Sequence, residues 1–414
     1  MASKYQAPRG TFDVLPADAR SRRRVEAAAA TIFAGAGYEP IATPAFEDTE
    51  LFERGVGRST DIVRKEMFTF EDKGGRSLTL RPEGTAPICR AYLEHGMHKL
   101  AQPVKLSYSG PFFRHERPQA GRYRQFHQLG VEAIGTDSPL ADAEVIMLLS
   151  DLLVELDVPG VELRLGSLGS PQARSTYLEE LKTHLRAHEG ELSKDVRDRI
   201  EINPLRAFDA DDEGTQAVMA SAPTIVGRLE GEDAEHFDEV RALLGAAGIE
   251  YAIDPTLVRG LDYYTRTIFS FVCDQLGAQS EIGGGGRYDS LIEQLGGPAT
   301  PAVGWAVGIE RIQLALGEVE EASDRDVFLA VADPSQRRRV LALAGELRHA
   351  GLSTEVDLAG RSLKGQLKHA DRVGARRVAI FEEDGSVQLR DMESGEQRPV
   401  DPTGLIEAIT GERS

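Results

Sequence analysis

Four arginines lie close together in the stretch from Gly110 to Glu132, around a loop that joins two strand-like runs. They are Arg114, Arg117, Arg122 and Arg124. A guanidinium keeps its charge at any physiological pH, and its planar fork can donate to two phosphate oxygens at once. The stretch therefore predicts a hairpin that binds a phosphate-bearing ligand. An exposed hairpin held by surface salt bridges is the alternative, because charge-rich hairpins are common on protein surfaces.

Alternation along the two strands assigns the polar side chains of this hairpin to one face. In a strand, residues two apart share a face. One run aligns Phe112, Arg114 and Glu116, and the return run aligns Arg124, Phe126, Gln128, Gly130 and Glu132. A face directed at a core would be apolar, so this one predicts the floor of a polar ligand site. His115 and His127 fall on the opposite face, which favours a structural role for both.

The same hairpin resembles motif 2 of the class II aminoacyl-tRNA synthetases. The resemblance rests on the run FRHE, a basic loop and the run GRYRQFHQLGVE, between Phe113 and Glu132. It is similar to the histidine-specific form of that motif. The resemblance implies an α+β catalytic domain, in which helices flank an antiparallel sheet, and an enzyme that binds ATP.

A turn from Pro82 to Gly84 joins a short strand to a helix and exposes Glu83 and Thr85. A carboxylate and a hydroxyl at such a turn can accept hydrogen bonds from an ammonium group. Ordinary capping of the helix by Thr85 is the alternative. The run RPEGT also resembles the site that holds the amino group of the amino acid in the same family, and this favours the binding role.

Two further stretches carry the most specific resemblance. The run LVRGLDYY from Leu257 and the run GGGGRYD from Gly283 resemble two signature motifs of histidyl-tRNA synthetases. Arg259 supplies a cation near the hydroxyls of Tyr263 and Tyr264. Strand alternation alone places Tyr263, and not Tyr264, on the face of Arg259, whereas a bulge or turn before them would bring both inward. The glycine run allows a backbone to approach a ligand closely, with a flexible turn as the alternative.

Two more segments match this family in order. From Ala302, a strand of small residues leads through Gly308 into a helix whose first turn carries Arg311, and it resembles motif 3. A guanidinium there adds to the partial positive charge of the helix N-terminus, which favours a phosphate. An ion pair of Arg311 with Glu310 or with another surface acid is the alternative. A helix over Ala17–Ala36 followed by a strand resembles motif 1, the dimer-forming element of the family.

Length and composition allow several domains. A chain of 414 residues can bury more than one core. No apolar run approaches the roughly 20 residues that span a bilayer, and the start has no signal-peptide core, so we expect a cytoplasmic protein with no membrane partner. Cys89 and Cys273 are far apart and the nine histidines show no ligand spacing, so neither a disulfide nor a metal held by protein ligands is expected.

Charge and pattern divide the chain into two domains, residues 1–324 and 325–414. The second alternates strands and helices, which predicts a small α/β domain, and it resembles the anticodon-binding domain of the class IIa synthetases. It has 14 basic and 15 acidic residues, whereas the whole chain has a net charge of −19, so any contact with nucleic acid must be local. A mainly helical insertion is expected at about 171–254, and its acidity argues against a strong contact with tRNA there.

The resemblance implies a role for each motif residue. ATP would be bound by Arg114, Glu116, Arg122, Phe126 and Arg311, with Mg²⁺ bridging its phosphates. Histidine would be bound by Glu83, Gly84, Thr85, Gln128, Glu132, Arg259, Tyr263 and Tyr264. Arg259 and Arg114 would be the catalytic residues, at the α-phosphate.

The function implied is that of a histidine–tRNA ligase acting as a homodimer. Such an enzyme activates L-histidine with ATP to histidyl-adenylate and pyrophosphate, and then transfers histidine to the 3′ end of tRNA(His). A catalytically silent, histidine-sensing paralogue, similar to the regulatory subunit of ATP phosphoribosyltransferase, is the alternative. It need not retain the ATP-binding arginines, whereas this chain has Arg114, Arg122, Arg259 and Arg311. A non-catalytic RNA-binding module is a third interpretation, which the acidic charge disfavours.

Overall fold

The chain divides after Gly317 into two compact units. The computed structural model describes residues 5–277, 280–317 and 325–410. The domain boundary expected after residue 324 lies outside the described residues. Each unit has an apolar core of its own, so each can position its own side chains.

A mixed sheet of eight strands forms the centre of the first unit. The same unit contains a second sheet of three strands. The strands are β1 (Glu39–Pro40), β2 (Phe46–Asp48), β3 (Phe68–Glu71), β4 (Ser77–Leu80), β5 (Val104–Phe113), β6 (Gln125–Ile134), β7 (Val161–Ser167), β8 (Ala252–Ile253), β9 (Thr265–Cys273), β10 (Glu281–Arg287) and β11 (Ala302–Gly308). The orders are β1-β5-β6-β11-β10-β9-β7-β8 and β2-β4-β3. In the large sheet all pairs are antiparallel except β1 with β5 and β7 with β8. The sheet is therefore mainly antiparallel, as expected, with one parallel pair at each edge.

Helices flank this sheet. They are α1 (Pro16–Gly35), α2 (Thr49–Phe52), α3 (Thr85–Glu94), α4 (Pro139–Glu155), α5 (Pro171–Ala187), α6 (Lys194–Arg197), α7 (Glu213–Met219), α8 (Gly231–Ala246), α9 (Leu291–Gln294) and α10 (Ile309–Leu316). The main core combines apolar residues of α1, α4, α8 and α10 with the inner faces of β6, β7, β9 and β11. Among the described residues of the whole chain, no helix is long and apolar enough to cross a membrane.

Helix α4 illustrates how the sequence specifies one of these elements. Ser138 precedes it and accepts a hydrogen bond from the main-chain nitrogen of Leu140 at 3.3 Å, which satisfies a free N–H of the first turn. Pro139 follows at a position where its missing N–H is not needed. Leu149 and Leu152 are fully buried in the main core. The helix therefore forms where its apolar spacing predicts it.

The helical insertion has a core that is separate from the main one. Tyr177, Leu181 and Leu185 of α5 pack with residues up to Ile225 in this second cluster. Helix α8 instead contributes Phe237 to the main core. Only the first part of the segment expected at 171–254 therefore packs as a body of its own.

The second unit is an α/β layer, as expected. Its strands are β12 (Arg325–Val331), β13 (Thr354–Val356), β14 (Ala375–Phe381), β15 (Val387–Asp391) and β16 (Gln397–Val400), and its helices are α11 (Arg337–His349), α12 (Leu363–Arg372) and α13 (Leu405–Thr410). The strand order is β13-β12-β14-β15-β16. The first three strands are parallel, and β15 and β16 add an antiparallel hairpin.

Candidate active site

A cavity of about 620 Å³ lies over strands β6, β10 and β11 of the first unit. All residues predicted to bind histidine or ATP line it except Glu132. They are Glu83, Gly84, Thr85, Arg114, Glu116, Arg122, Phe126, Gln128, Arg259, Tyr263, Tyr264 and Arg311. The predicted convergence of separate parts of the chain on one cavity is therefore present in the geometry.

Strand register brings the floor of the cavity together. On β6, Gly130 lies opposite Tyr108 of β5 and opposite Ala306 of β11. A Cβ at Gly130 would be 2.2 Å from Cζ of Tyr108, so only glycine lets this ring lie across the strand. The same ring approaches Gly84, where a Cβ would be 2.7 Å from it. Two glycines thus admit Tyr108, a cavity residue that sequence reasoning missed.

Glu116 lies between two of the predicted phosphate ligands. Its carboxylate is 3.3 Å from Nη1 of Arg122 and 3.9 Å from Nη1 of Arg114. Arg114 also donates from Nε to the carbonyl of Pro82 at 2.8 Å. Its guanidinium carbon is 5.3 Å from the centre of the Phe126 ring. These contacts hold a cation beside an aromatic face, an arrangement suited to a nucleotide.

Glu281, the first residue of β10, contacts the other two predicted phosphate ligands. Its Oε1 is 2.7 Å from Nη1 of Arg259. Its main-chain carbonyl accepts a hydrogen bond from Nε of Arg311. Glu281 itself was not singled out from the sequence, because no motif residue lies at its position.

The alternative partner of Arg311 binds elsewhere. Glu310 accepts hydrogen bonds from the main-chain nitrogen of His127, at 3.1 Å to each carboxylate oxygen. It is also 3.5 Å from a guanidinium nitrogen of Arg22. Glu310 therefore connects α10 to β6 and α1, and these contacts do not support the alternative of a pairing with Arg311.

Glu83 both caps a helix and lines the cavity. Its carboxylate accepts from the main-chain nitrogens of Thr85 and Ala86, at 2.7 and 2.9 Å, so it caps α3. Capping by the Thr85 hydroxyl is therefore wrong, because Thr85 is already the first helical residue. Burial raises the pKa of Glu83. The same carboxyl lines the cavity, so capping and ligand binding do not exclude each other.

Glu132 lies behind the cavity wall and is fully buried. Its carboxyl accepts from the hydroxyl of Thr85 at 2.8 Å and from the hydroxyl of Tyr288. Burial raises the pKa of Glu132 to about 8, against the effect of these two donors. Gly304 of β11 provides the space for this carboxyl, since a Cβ there would be 1.8 Å from Oε2 of Glu132. Sequence reasoning did not assign a role to Tyr288, although this residue is part of the GGGGRYD signature.

Both tyrosines of the first signature point inward. Tyr263 and Tyr264 are buried, with ring centres 4.7 Å apart. The guanidinium carbon of Arg259 is 5.8 Å from the Tyr264 ring centre. Residues 257–264 form turns and coil, not a strand. The period-two argument, which would have separated Tyr264 from Arg259, is wrong for this reason.

Four residues of the predicted hairpin face do not line the cavity: Glu132 and Gly130, described above, and Phe112 and Arg124. Phe112 is fully buried in the core beneath it, with the Arg81 guanidinium 4.4 Å from its ring centre. Arg124 precedes β6, and its main-chain nitrogen donates to the carbonyl of Gly10 at 2.7 Å. Alternation fails at Arg124 because this residue lies before the first residue of β6, whereas Phe112 is still paired with Phe126 in the hairpin and packs into the core.

Three buried polar atoms at the cavity have no hydrogen-bond partner among the described residues. They are the hydroxyl of Tyr108, Oε1 of Gln128 and Nε of Arg259. Buried polar groups in proteins are nearly always paired. Unpaired donors and acceptors that line one cavity therefore indicate a polar ligand.

The helical insertion also reaches this cavity. Arg199, Ile202 and Arg206 are among its lining residues. Asp61, on the rim, is 3.0 Å from Arg206 and 3.6 Å from Arg199. The negative net charge of the insertion gave no sign of this, because its total says nothing about which residues face inward.

Comparison with known proteins identifies both units. The model of the histidyl-tRNA synthetase family matches residues 10–312, and that of the anticodon binding domain matches residues 326–412. A histidine–tRNA ligase from Rubrobacter xylanophilus is 48% identical over 422 residues, covering 98% of this chain and 100% of the relative. One from Desulfitobacterium hafniense is 48% identical over 401 residues, covering 95% of this chain and 94% of the relative.

Solved structures agree with this. The apo histidyl-tRNA synthetase of S. aureus is 35% identical, with a TM-score of 0.81 and coverage of 98% of this chain and 99% of that one. A protein from Bacillus halodurans, described as an ATP phosphoribosyltransferase regulatory subunit/histidyl-tRNA synthetase, is 24% identical, with a TM-score of 0.68 and coverage of 92% and 99%, and it shows the fold alone. The chain that folds around this cavity belongs to the histidyl-tRNA synthetase family.

Proposed function

We propose that this chain is a histidine–tRNA ligase that uses ATP. In the first step the carboxylate of L-histidine attacks the α-phosphate and pyrophosphate leaves. In the second step the acyl group passes from the adenylate to the 3′ end of tRNA(His). The observation that carries the proposal is the meeting of Arg114, Arg122, Arg259 and Arg311 at one cavity that also has unpaired buried polar atoms.

On the nucleotide side, the chain's own contribution is charge and position. Arg114 and Arg259 bind at the α-phosphate, and Arg122 and Arg311 bind the outer phosphates. Phe126 stacks on the adenine, and Glu116 contacts the nucleotide. Transfer at phosphorus requires mainly alignment and neutralisation of charge, and fixed guanidiniums supply both.

Mg²⁺ would be held at this site mainly by the phosphates of the nucleotide and not by a full set of protein ligands. Among the described residues, no group of three or more His, Cys, Asp or Glu side chains could hold a metal ion. The carboxylates of Glu66 and Glu116 line the part of the cavity near Arg114 and Arg122. Mg²⁺ commonly binds through one or two carboxylates together with substrate phosphates. It would neutralise phosphate charge there.

On the amino-acid side, acceptors surround the place for an ammonium group. Glu83, Thr85 and Gln128 line this end of the cavity, and Oε1 of Gln128 has no partner within the described chain. Tyr264 and Glu132 bind the two nitrogens of the imidazole. Because Glu132 lies behind Thr85, histidine reaches it by replacing a hydroxyl donor. A pocket whose buried polar groups must be matched can reject analogues by roughly 10⁴- to 10⁵-fold.

The remaining parts of the proposal concern partners and location. The second unit matches an anticodon binding domain, which supports tRNA as the macromolecular substrate. Family membership supports a homodimer and a cytoplasmic location. The proposed catalytic domain comprises residues 1–324 with a helical insertion, and the proposed anticodon-binding domain comprises residues 325–414.

Histidine-dependent exchange between ATP and pyrophosphate, followed by charging of tRNA(His), tests the proposal. Exchange and charging are expected together, and charging is expected to stop when histidine is omitted. A histidine-sensing paralogue would bind histidine but give no exchange. An RNA-binding module would bind tRNA and give neither reaction.

A further inference from the structure

Glu281 is an acidic residue among the cations of the proposed ATP site. Its carboxylate pairs with Arg259 at 2.7 Å, and its carbonyl accepts from Arg311. Burial raises the pKa of the Glu281 carboxyl. The positive charges of Arg259, Arg311 and Arg122 lower this pKa by more than burial raises it, so the pKa lies below its ordinary value. The carboxylate is therefore ionised at neutral pH and is stabilised by the groups assigned to the phosphates.

The two partners of this ion pair differ in their freedom to move. The side chain of Arg259 is 13% exposed, whereas that of Glu281 is 47% exposed. Arg259 is held against the sheet, since a Cβ on Gly284 would be 3.0 Å from its Nη1. Glu281 can therefore turn towards solvent while Arg259 keeps its place.

Glu281 satisfies only part of the guanidinium. Its contact is made to Nη1, whereas Nε of Arg259 is buried and has no partner in the described part of the chain. A phosphate that takes several of these donors competes with the carboxylate for the same cation, both for hydrogen bonds and for charge. The other acid nearby, Asp209, is paired with Arg206 at 2.8 Å and does not contact Arg259.

We propose that Glu281 is a built-in counter-ion, which neutralises Arg259 in the empty site and is displaced by the phosphates of ATP. This rests on the proposed function, because it assigns Arg259 to the α-phosphate. Glu281 then positions Arg259 before ATP binds and, through its charge, weakens the affinity for ATP. The residue sets how tightly the nucleotide binds without contacting the reacting atoms.

Titration calorimetry with ATP in the absence of histidine tests this inference. Glu281→Gln keeps the size and the main-chain carbonyl but removes the charge. It is expected to lower the Kd for ATP by about two- to fivefold, the range of a partly exposed ion pair. Glu281→Asp keeps the charge and is expected to remain within about twofold of the wild-type chain. A residue with a merely structural role would raise the Kd or leave it unchanged.

A matched control separates this contact from a general effect of net charge. Glu162 of β7 is also about half exposed and is 3.5 Å from an arginine, Arg164, but it does not line the cavity. Glu162→Gln is expected to leave the Kd for ATP unchanged. An unchanged or higher Kd in Glu281→Gln, or an equal decrease in Glu162→Gln, would overturn the inference.

Pyrophosphate exchange by the wild-type chain distinguishes this inference from the proposed function. If the wild type binds ATP but gives no histidine-dependent exchange, the proposed function fails. The ratio of the Kd for ATP of Glu281→Gln to that of the wild type still decides the role of Glu281. If exchange is normal and the Kd ratio is one, only the inference about Glu281 fails. The unfolding temperature of each variant confirms that an affinity was measured on folded protein.

Discussion

Arg259 is a charged residue that the protein leaves incompletely paired. Its side chain is largely buried, one terminal nitrogen contacts Glu281, and Nε has no partner among the described residues. A buried cation in that state is destabilising unless another anion arrives. The geometry at the residue scale thus supports binding of a phosphate, which supplies the missing acceptors.

Arg259→His is expected to fold and to lose adenylate formation. An imidazole is shorter than a guanidinium and has no fork, so it cannot reach the α-phosphate with two donors. The loss is expected to be about 10²- to 10³-fold in the rate of pyrophosphate exchange, as for other donors that act in a transition state. A near-normal exchange rate would refute the role assigned to Arg259.

Glu132 makes the stability of the first unit depend on pH. Burial raises its pKa to about 8 in the folded protein. The ordinary value of a glutamate is about 4.3. Between these two values the folded protein binds more protons than the unfolded chain, so the free energy of unfolding decreases as the pH rises. The contribution of this carboxyl is fully present below the lower value and is lost through the upper one.

Glu132→Gln removes this titration, because an amide does not ionise. The amide has the shape of the protonated carboxyl, so the variant is expected to keep the packing. The stability of the variant relative to the wild type is expected to increase between about pH 5 and pH 8, by up to about 1.4 kcal/mol per pH unit. Thermal unfolding across this range measures it. A difference that is independent of pH would contradict the assignment.

At one pH, the same variant, Glu132→Gln, is expected to raise the KM for histidine more than the KM for ATP. Equal rises of the two KM values would argue against contact between Glu132 and the imidazole.

At the scale of elements, the pairing of β6 with β11 forms the base of the proposed amino-acid pocket. Gly304 lies opposite Glu132 in this register. A Cβ at Gly304 would be 1.8 Å from the Glu132 carboxylate and 2.4 Å from the carbonyl oxygen of Val131. The backbone oxygen cannot move without breaking the strand pair. The position therefore requires glycine for space and not for conformational freedom.

Gly304→Ala is expected to destabilise the first unit by at least about 1–3 kcal/mol, the usual range for overpacking. The unfolding temperature of the purified chain measures this. Gly245→Ala is the matched control, because Gly245 lies in α8 and a Cβ there would have no atom within 4 Å. Alanine favours a helix over glycine by about 1 kcal/mol, so the control is expected to be neutral or stabilising. Equal effects of the two changes would contradict the steric argument.

On the scale of the whole molecule, the charge is distributed unevenly between the parts of the chain. The net charge of the chain is −19, and residues 325–414 contain 14 basic and 15 acidic residues. Lys364 and Lys368 are both exposed, one turn apart on α12. They can contact phosphates of a nucleic acid although the chain as a whole repels it.

Replacing Lys364 and Lys368 by alanine is expected to weaken tRNA binding without changing pyrophosphate exchange. Each lysine that contacts a phosphate is expected to reduce the dependence of log affinity on log salt by about one unit. Charging assays and tRNA binding at several salt concentrations measure both effects. Lys73→Ala, an exposed lysine between β3 and β4, serves as the control. An unaltered salt dependence in the double variant would exclude these lysines as phosphate contacts.

Local chemistry and periodicity were readable from the chain itself. The α/β alternation of the second unit, helix α4 and the β5–β6 hairpin follow from spacing and turn residues, which act over a few neighbouring positions. The arginines of the site could be named for the same reason, because a fixed charge in a recognisable motif is a local property. The motifs therefore predict the ligands from local sequence alone.

Contacts between distant residues came only from the folded chain. The hydrogen bond from Tyr288 to Glu132 spans 156 positions, and the pairing of Arg259 with Glu281 spans 22. Tyr264 faces the cavity because residues 257–264 form turns and coil, to which the two-residue period of a strand does not apply. Sheet register and burial decide which polar groups meet, and they arise from packing of the whole unit. Residue types thus specified the chemistry of this protein, and the tertiary fold specified the partners.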